Sequence, residues 1–158
     1  MTIWGALVGG FVGTLVLTTI LRASSELRIT RVDLPFLLGT MVTADRKRAK
    51  ALGYLLHFFF GLSFAVGYFA IFAALGHAGW LTGAALGVLH AAFSATALVN
   101  VLLPAVHPRM GDPTTSADRV ALLEAPGFLM MNYGIATPIV MLVAHIAYGA
   151  IVGGFAAM

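Results

Sequence analysis

The sequence predicts an all-α membrane protein, a polytopic four-helix bundle, and three observations lead to this prediction. Of the 158 residues, 60% are hydrophobic and only 9% are charged, whereas about 25% are charged in an ordinary soluble domain. All the charged residues lie in segments 22–50 and 109–124. The stretches without charge, 1–21, 51–108 and 125–158, are apolar throughout. This pattern excludes a soluble domain, a disordered chain and a nucleic-acid-binding module.

The lengths of the apolar stretches predict four spans, because a bilayer core about 30 Å thick needs about 20 apolar residues per helix. The first stretch supplies one span, at 3–21. The second supplies two, at 51–75 and 79–103, separated by a turn-like Gly-His-Ala-Gly cluster. The third supplies a fourth span within 127–155. Four spans with short connections predict a single transmembrane domain over residues 1–158.

The charge distribution predicts the orientation of the chain. The two predicted loops, 22–50 and 104–126, contain all nine Lys and Arg residues. By the positive-inside rule both loops are cytoplasmic, so both termini and the 76–79 turn face outward. We therefore expect a multi-pass protein of the bacterial cytoplasmic membrane, in contact with the lipid bilayer. We also expect the basic loop 22–50 to lie near anionic lipid headgroups.

The cytoplasmic loops contain signals for short interfacial helices. Asp33 is a predicted N-cap, followed by Pro35 in the first turn of an apolar helix that reaches about Val42. Thr43 is expected to cap the second span. Glu124 lies just before Pro126, at the start of the last apolar stretch. The predicted cytoplasmic mouth of the bundle consists of Asp33, Arg119 and Glu124. These charged residues could form an ion pair or act as a gate, and both interpretations stay open.

Similar patterns recur in the two halves of the chain and predict two duplicated helical hairpins. The motif His-x-x-aromatic-Gly occurs at 57–61 and at 145–149, and an acidic residue two places before proline occurs at 33–35 and at 124–126. A repeat related by an axis along the membrane normal would produce this arrangement. It requires His57 and His145 to lie at similar depth, which fits best if residues 127–133 are interfacial and the fourth span starts near Gly134.

Each predicted span carries small residues at helical spacing, which lets neighbouring backbones approach closely. The glycines of these stripes are Gly5, Gly9 and Gly13 in the first span, Gly61 in the second, Gly83 and Gly87 in the third, and Gly149 and Gly153 in the fourth. The stripes predict close helix packing, either within the chain or against a second copy or a larger membrane complex.

Polar side chains inside a membrane are costly and are therefore candidates for a site. The predicted intramembrane polar site consists of His57, His90, Asn100, Asn132 and His145. Because the small-residue stripes must face protein rather than lipid, we expect them to bring the histidines toward a common axis.

Two regions of the chain resemble known bacterial membrane proteins. The segment from His57 to Tyr68, followed by residues 79–83, resembles the YagU-like inner-membrane proteins. The segment 144–149, Ala-His-Ile-Ala-Tyr-Gly, is similar to related families of small four-span proteins whose activity is not established. The resemblance implies a protein of the bacterial cytoplasmic membrane and implies no particular activity.

Three interpretations of the histidines remain open. In the first, the imidazoles fix helix packing, and the protein is a non-enzymatic accessory or oligomeric subunit. In the second, they relay protons or bind a cation, as in a small transporter or channel. In the third, two facing histidines bind haem b. The sequence contains no recognisable catalytic motif and no zinc-binding HExxH motif, so neither catalysis nor a metal site is expected.

Overall fold

The computed structural model describes residues 1–110 and 123–158. Four helices in these ranges are long and apolar enough to cross a membrane: Ile3–Glu26, Arg46–Leu75, Trp80–Val106 and Thr137–Ala157. No β-strand occurs in the described ranges. The predicted all-α class with four long apolar helices is therefore confirmed, and the chain is an integral membrane protein.

The helical elements follow one another with short connections. In chain order they are α1 (Ile3–Glu26), α2 (Leu34–Gly39), α3 (Arg46–Leu75), α4 (Trp80–Phe93), a π-helical segment (Ser94–Leu102), α5 (Leu103–Val106), a 3-10 turn (Phe128–Tyr133) and α6 (Thr137–Ala157). The π-helical segment joins α4 to α5 without a break, so these three elements form the third long helix.

Side-chain caps explain where three helices begin. Thr2 accepts a hydrogen bond from the backbone N–H of Gly5 at the start of α1. Asp33 accepts from Phe36 at 3.1 Å and starts α2, at the predicted N-cap. The α3 helix is capped by Asp45, which accepts from Arg48 at 2.8 Å. The expectation that Thr43 caps this helix was wrong, because its hydroxyl accepts instead from the N–H of Asp45.

The last long helix begins later than the widest predicted span. Gly127 and Gly134 have φ values of +71° and +128°, which lie outside the right-handed helical region and suit glycine. They separate the 3-10 turn Phe128–Tyr133 from α6, which starts at Thr137. Helical structure therefore does not run continuously through 127–155.

The bundle is organised around α6, which packs most extensively against α4 and α1. α1 also packs against α3, and the short helix α2 packs against α3. Small residues allow these approaches: a Cβ atom added at Gly83 would collide with the backbone of Gly149, and one added at Gly9 would collide with Val152. The predicted stripes thus serve packing within the chain.

The two ends of the bundle differ in composition. The backbone N–H of Thr2 donates to the carbonyl of Ala156 at 3.1 Å, so both termini lie at one end. Gly153 approaches Gly79 at the same end, which we call the turn end. The opposite end, which we call the loop end, carries α2, the 3-10 turn and the basic loop 22–50. This arrangement agrees with an even number of spans.

Candidate functional site

Three histidines and two tyrosines from three helices meet inside the bundle. They are His57 and Tyr68 of α3, His90 of α4, and His145 and Tyr148 of α6, and we call them the histidine–tyrosine cluster. The relative exposure of His57 is 8%, that of His145 is 4%, and that of Tyr148 is 1%. The structure thus places all three predicted intramembrane histidines in one region, facing protein rather than lipid.

His90 lies at the centre of the aromatic contacts. Its ring meets the ring of His145 edge to face, with a centroid distance of 4.7 Å. The Tyr148 ring is 5.7 Å from it, and Phe64 covers it at 4.0 Å. The Tyr68 hydroxyl is 3.3 Å from Nδ1 of His90. The imidazole of His90 is therefore in direct contact with a second imidazole and a phenol.

The hydrogen bonds of His145 fix its tautomer. Nδ1 of His145 lies 2.8 Å from the carbonyl oxygen of Met141. A carbonyl oxygen only accepts hydrogen bonds, so Nδ1 carries the hydrogen and donates. Nε2 of the neutral ring is then the acceptor nitrogen. His145 can therefore take up a proton at Nε2 without losing its bond to Met141.

His57 differs from the other members because its Nε2 atom is buried and has no hydrogen-bond partner among the described residues. An unpaired buried polar atom costs about 1–3 kcal/mol. The hydrogen bond from Tyr148 of α6 to Gly61 of α3 lies one helical turn beyond His145 and His57, so the two histidines are on neighbouring turns of adjacent helices. Helix packing alone does not account for a polar atom left unpaired at this position.

Glycines on the predicted stripes create the space for the cluster. A Cβ atom added at Gly87 would collide with the backbone carbonyl of His145, and one added at Gly61 would collide with the Thr14 side chain. On α1, Gly13 lies against the ring of Tyr148. The glycines bring the backbones of α1, α3, α4 and α6 close enough for side chains from three helices to touch.

A narrow cleft leads from the loop end to His57, between α1 and α3. Its polar lining comes from Thr18, Arg22, Ser25, Asp33, Tyr54 and His57, and its apolar lining includes Val32 and Pro35. The cavity volume is about 20 Å³, and a volume of about 10–15 Å³ is needed to hold one water molecule. The cleft therefore has room for about one water next to the cluster.

The predicted mouth residues pair with the basic loop. Asp33 lies 3.4 Å from the Lys50 ammonium, and Glu124 lies 3.3 Å from the Arg31 guanidinium. Both carboxylates are at the loop end, while Arg119 lies outside the described residues. The Tyr133 hydroxyl donates to the backbone carbonyl of Glu124 at 2.7 Å. Burial, with a smaller effect of the Glu124 charge, raises the pKa of Tyr133 to about 12.

The two predicted asparagines lie apart from the histidines. Asn100 donates to the carbonyl of Ala95 at 2.8 Å within the π-helical segment. Asn132 is exposed in the 3-10 turn, where its side chain donates to the carbonyl of Ala125 at 2.9 Å. Both side chains form hydrogen bonds with nearby backbone, and neither has a hydrogen bond with a member of the cluster.

His107 joins two helical elements, a role that the sequence did not indicate. It is 4% exposed, and its Nε2 lies 3.0 Å from the carbonyl of Leu37. Nδ1 accepts from the backbone N–H of Arg109 at 3.1 Å. This residue links the end of α5 to α2. A histidine directly after an apolar helix needs hydrogen-bond partners for its ring nitrogens. Which groups serve as partners depends on where α2 packs, and the sequence does not give this.

The edge-to-face pair His90–His145 does not fit haem b. Axial ligands lie on opposite faces of a porphyrin, whereas these two rings are in direct contact at 4.7 Å and leave no slot for a porphyrin plane. In the part of the chain that the structure describes, no three His, Asp or Glu side chains are grouped to hold a metal ion. The haem b interpretation has no support from this pair and otherwise stays a prediction.

Comparisons with protein-family models, with curated proteins and with solved structures found no match to this chain. The resemblance to the YagU-like proteins stays a prediction, as does the internal duplication. The histidine–tyrosine cluster and its cleft are thus the features of the molecule that bear on its function.

Proposed function

We propose that this integral membrane protein carries protons across the bacterial cytoplasmic membrane through the histidine–tyrosine cluster. The observation that carries the proposal is the unpaired, buried Nε2 of His57, on a helix that packs against the one carrying His145. Imidazole accepts and releases protons near neutral pH, which suits it to a relay. A buried histidine without a partner is better explained by a proton that binds and leaves than by packing.

The composition of the apolar stretches supports protons as the transported species. His and Tyr are the only titratable side chains in 1–21, 51–108 and 125–158. A carboxylate to balance a metal cation is absent from these stretches, and hard cations prefer oxygen ligands. A proton, by contrast, needs only an acceptor nitrogen or oxygen at each step.

The order of the relay follows from the contacts. A proton taken up by His57 passes to the acceptor nitrogen of His145 on the neighbouring turn of α6, which returns His57 to its neutral form. From His145 it passes to His90, which the ring of His145 touches. The Tyr68 hydroxyl beside His90 receives it next and releases its own proton onward. Each step moves one proton and leaves the donor neutral.

The positive-inside rule supports the orientation in which the loop end is cytoplasmic and both termini face outward. The basic residues of loop 22–50 then lie beside the cytoplasmic leaflet. Exposed positive charges at this depth are attracted to anionic headgroups. His57, which lines the cleft, is in this orientation the first member of the histidine–tyrosine cluster that protons from the cytoplasm reach.

A second candidate function is an accessory subunit whose polar cluster only fixes helix packing. It is favoured by the internal hydrogen bonds of the cluster, Tyr148 to Gly61 and His145 to Met141, which resemble the polar contacts that hold membrane helices together. Since the glycine stripes are used within the chain, another subunit or a second copy would have to bind the outer, lipid-facing surface.

Proton flux into liposomes separates the two candidates. Purified protein is reconstituted into potassium-loaded liposomes with a trapped pH indicator, and valinomycin sets an inside-negative potential. We expect acidification of the interior at least tenfold faster than in protein-free liposomes. We also expect His145→Leu to reduce the rate to background.

The matched control is His77→Leu, because His77 is exposed at the turn end and bonds to Thr82. This variant should retain the wild-type rate. If folded wild-type protein gives no flux above protein-free liposomes, proton transport is wrong and the accessory function is favoured. The same result follows if His145→Leu conducts like wild type.

A further inference from the structure

We propose that the cleft between α1 and α3 is the water-filled entrance for the proton, and that Asp33 is the carboxylate that collects protons at its mouth. This inference rests on the proposed function and adds the route by which protons from the loop end reach the histidine–tyrosine cluster. The cleft is the described cavity that contains both a loop-end carboxylate and a member of the histidine–tyrosine cluster.

One residue in the lining of the cleft, His57, carries a buried nitrogen without a hydrogen-bond partner among the described residues. His57 is more than nine-tenths buried, and its Nε2 has no hydrogen bond among the described residues. Thr18 lies beside it in the lining and donates its hydroxyl hydrogen to the carbonyl of Thr14 at 2.6 Å. The lone pairs of the Thr18 oxygen are therefore free to accept a bond from water. A single water between Thr18 and His57 could form hydrogen bonds with both side chains.

The charges that face the cleft are balanced in pairs. Arg22 pairs with Glu26 at 2.7 Å, and Asp33 pairs with Lys50 at 3.4 Å. Tyr54 contributes a neutral phenol, one helical turn before His57 on α3. Asp33 is thus the only carboxylate in the lining of the cleft. One of its oxygens caps α2, and its side chain remains 36% exposed, so it is in contact with bulk water.

The size of the cleft selects for a proton over a hydrated cation. A cavity of about 20 Å³ admits about one water, whereas a hydrated ion would bring several. Arg22 in the lining also repels cations, while a proton can pass along hydrogen bonds. A proton leaves water at the mouth, binds Asp33, returns to the cleft water and binds His57, which leaves every intermediate group unchanged.

Contact between water and His57 can be measured separately from transport. Protein labelled with ¹⁵N-histidine is reconstituted in lipid, and magnetisation transfer from water to each imidazole is recorded by NMR. The His57 signal is identified by its loss in His57→Leu. We expect transfer to His57 at least fivefold faster than to His145, which lies deeper behind the cleft.

Two neighbouring threonines provide a matched pair of variants. Thr18→Leu should fill the cleft, slow water transfer to His57 at least fivefold and slow proton flux to a similar extent. Thr19→Leu introduces the same change at the next residue, which is exposed on another face of α1, and should alter neither quantity. If Thr18→Leu does not fold, Ser25→Leu narrows the outer part of the same cleft.

Asp33→Asn tests the mouth residue, since asparagine also serves as an N-cap and keeps α2 in place. We expect proton flux to fall several-fold with no loss of thermal stability. Unchanged flux in this variant would overturn the role of Asp33. Two results would overturn the assignment of the cleft as the proton entrance and leave the proposed function intact. One is unchanged flux in a folded cleft-filling variant, and the other is wild-type flux without water transfer to His57. Water transfer to His57 without any flux would uphold the wet cleft and contradict proton transport.

Discussion

The hydroxyl of Tyr148 on α6 donates a hydrogen bond of 2.5 Å to the carbonyl oxygen of Gly61 on α3. Gly61 follows His57 by one helical turn, and Tyr148 follows His145 by about one turn. The bond therefore holds the two histidines at similar depth, as the paired motif requires. The absence of a Cβ at Gly61 also allows Thr14 of α1 to approach, so this contact joins three helices.

Removing this hydrogen bond should weaken the bundle. Tyr148→Phe keeps the ring and removes the donor, and we expect a loss of about 0.5–1.5 kcal/mol in the free energy of unfolding. Thermal unfolding in detergent measures the effect. The control is Tyr54→Phe, since the Tyr54 hydroxyl has no hydrogen bond to the described residues and the loss should be smaller. Equal melting temperatures for Tyr148→Phe and wild type would contradict a stabilising bond.

The close contact between α4 and α6 should not tolerate a methyl group. In Gly149→Ala the new Cβ would meet the backbone carbonyl of Gly83, and overpacking of this kind costs about 1–3 kcal/mol. Gly67→Ala is the matched control, because a Cβ there would have no neighbour within 4 Å. Replacing glycine by alanine within a helix should then stabilise by about 0.5–1 kcal/mol. In thermal unfolding we expect the melting temperature to fall in Gly149→Ala and to rise in Gly67→Ala. Equal changes of melting temperature in the two variants would show that α4 and α6 are not this close.

Stability and activity should respond in opposite directions at His57. Leucine in its place removes an unpaired buried nitrogen, so His57→Leu should raise the free energy of unfolding by about 1 kcal/mol while abolishing proton flux. Thermal unfolding and liposome flux are measured on the same preparation, with His77→Leu as the control for both. Lower stability together with normal flux would indicate a purely structural histidine.

The orientation can be tested because the chain contains no cysteine. Single-cysteine variants are made at Arg46, at the loop end, and at His77, at the turn end. In intact cells a membrane-impermeant maleimide should label His77→Cys and should label Arg46→Cys only after the membrane is opened. The opposite labelling pattern would reverse the proposed orientation.

The sequence by itself determined the membrane class, the four long apolar helices and the end of the bundle that carries charge. It did so because a bilayer core sets the number of apolar residues that a helix needs, and because charged side chains cannot remain inside it. It also identified the glycines that face other helices and the three histidines that face protein. These are properties of single helices, in which spacing alone fixes which residues share a face.

Only the tertiary structure decided which helices pair and which polar atoms find partners. Lipid is as apolar as a helix surface, so burial of apolar area does not select partners, and the choice falls to close backbone contacts and hydrogen bonds. This is why α6 lies between α1 and α4, why His107 joins α2, and why Asn100 and Asn132 lie outside the cluster. Whether Nε2 of His57 is paired depends on side chains from several helices at once, so no pattern along one helix predicts it.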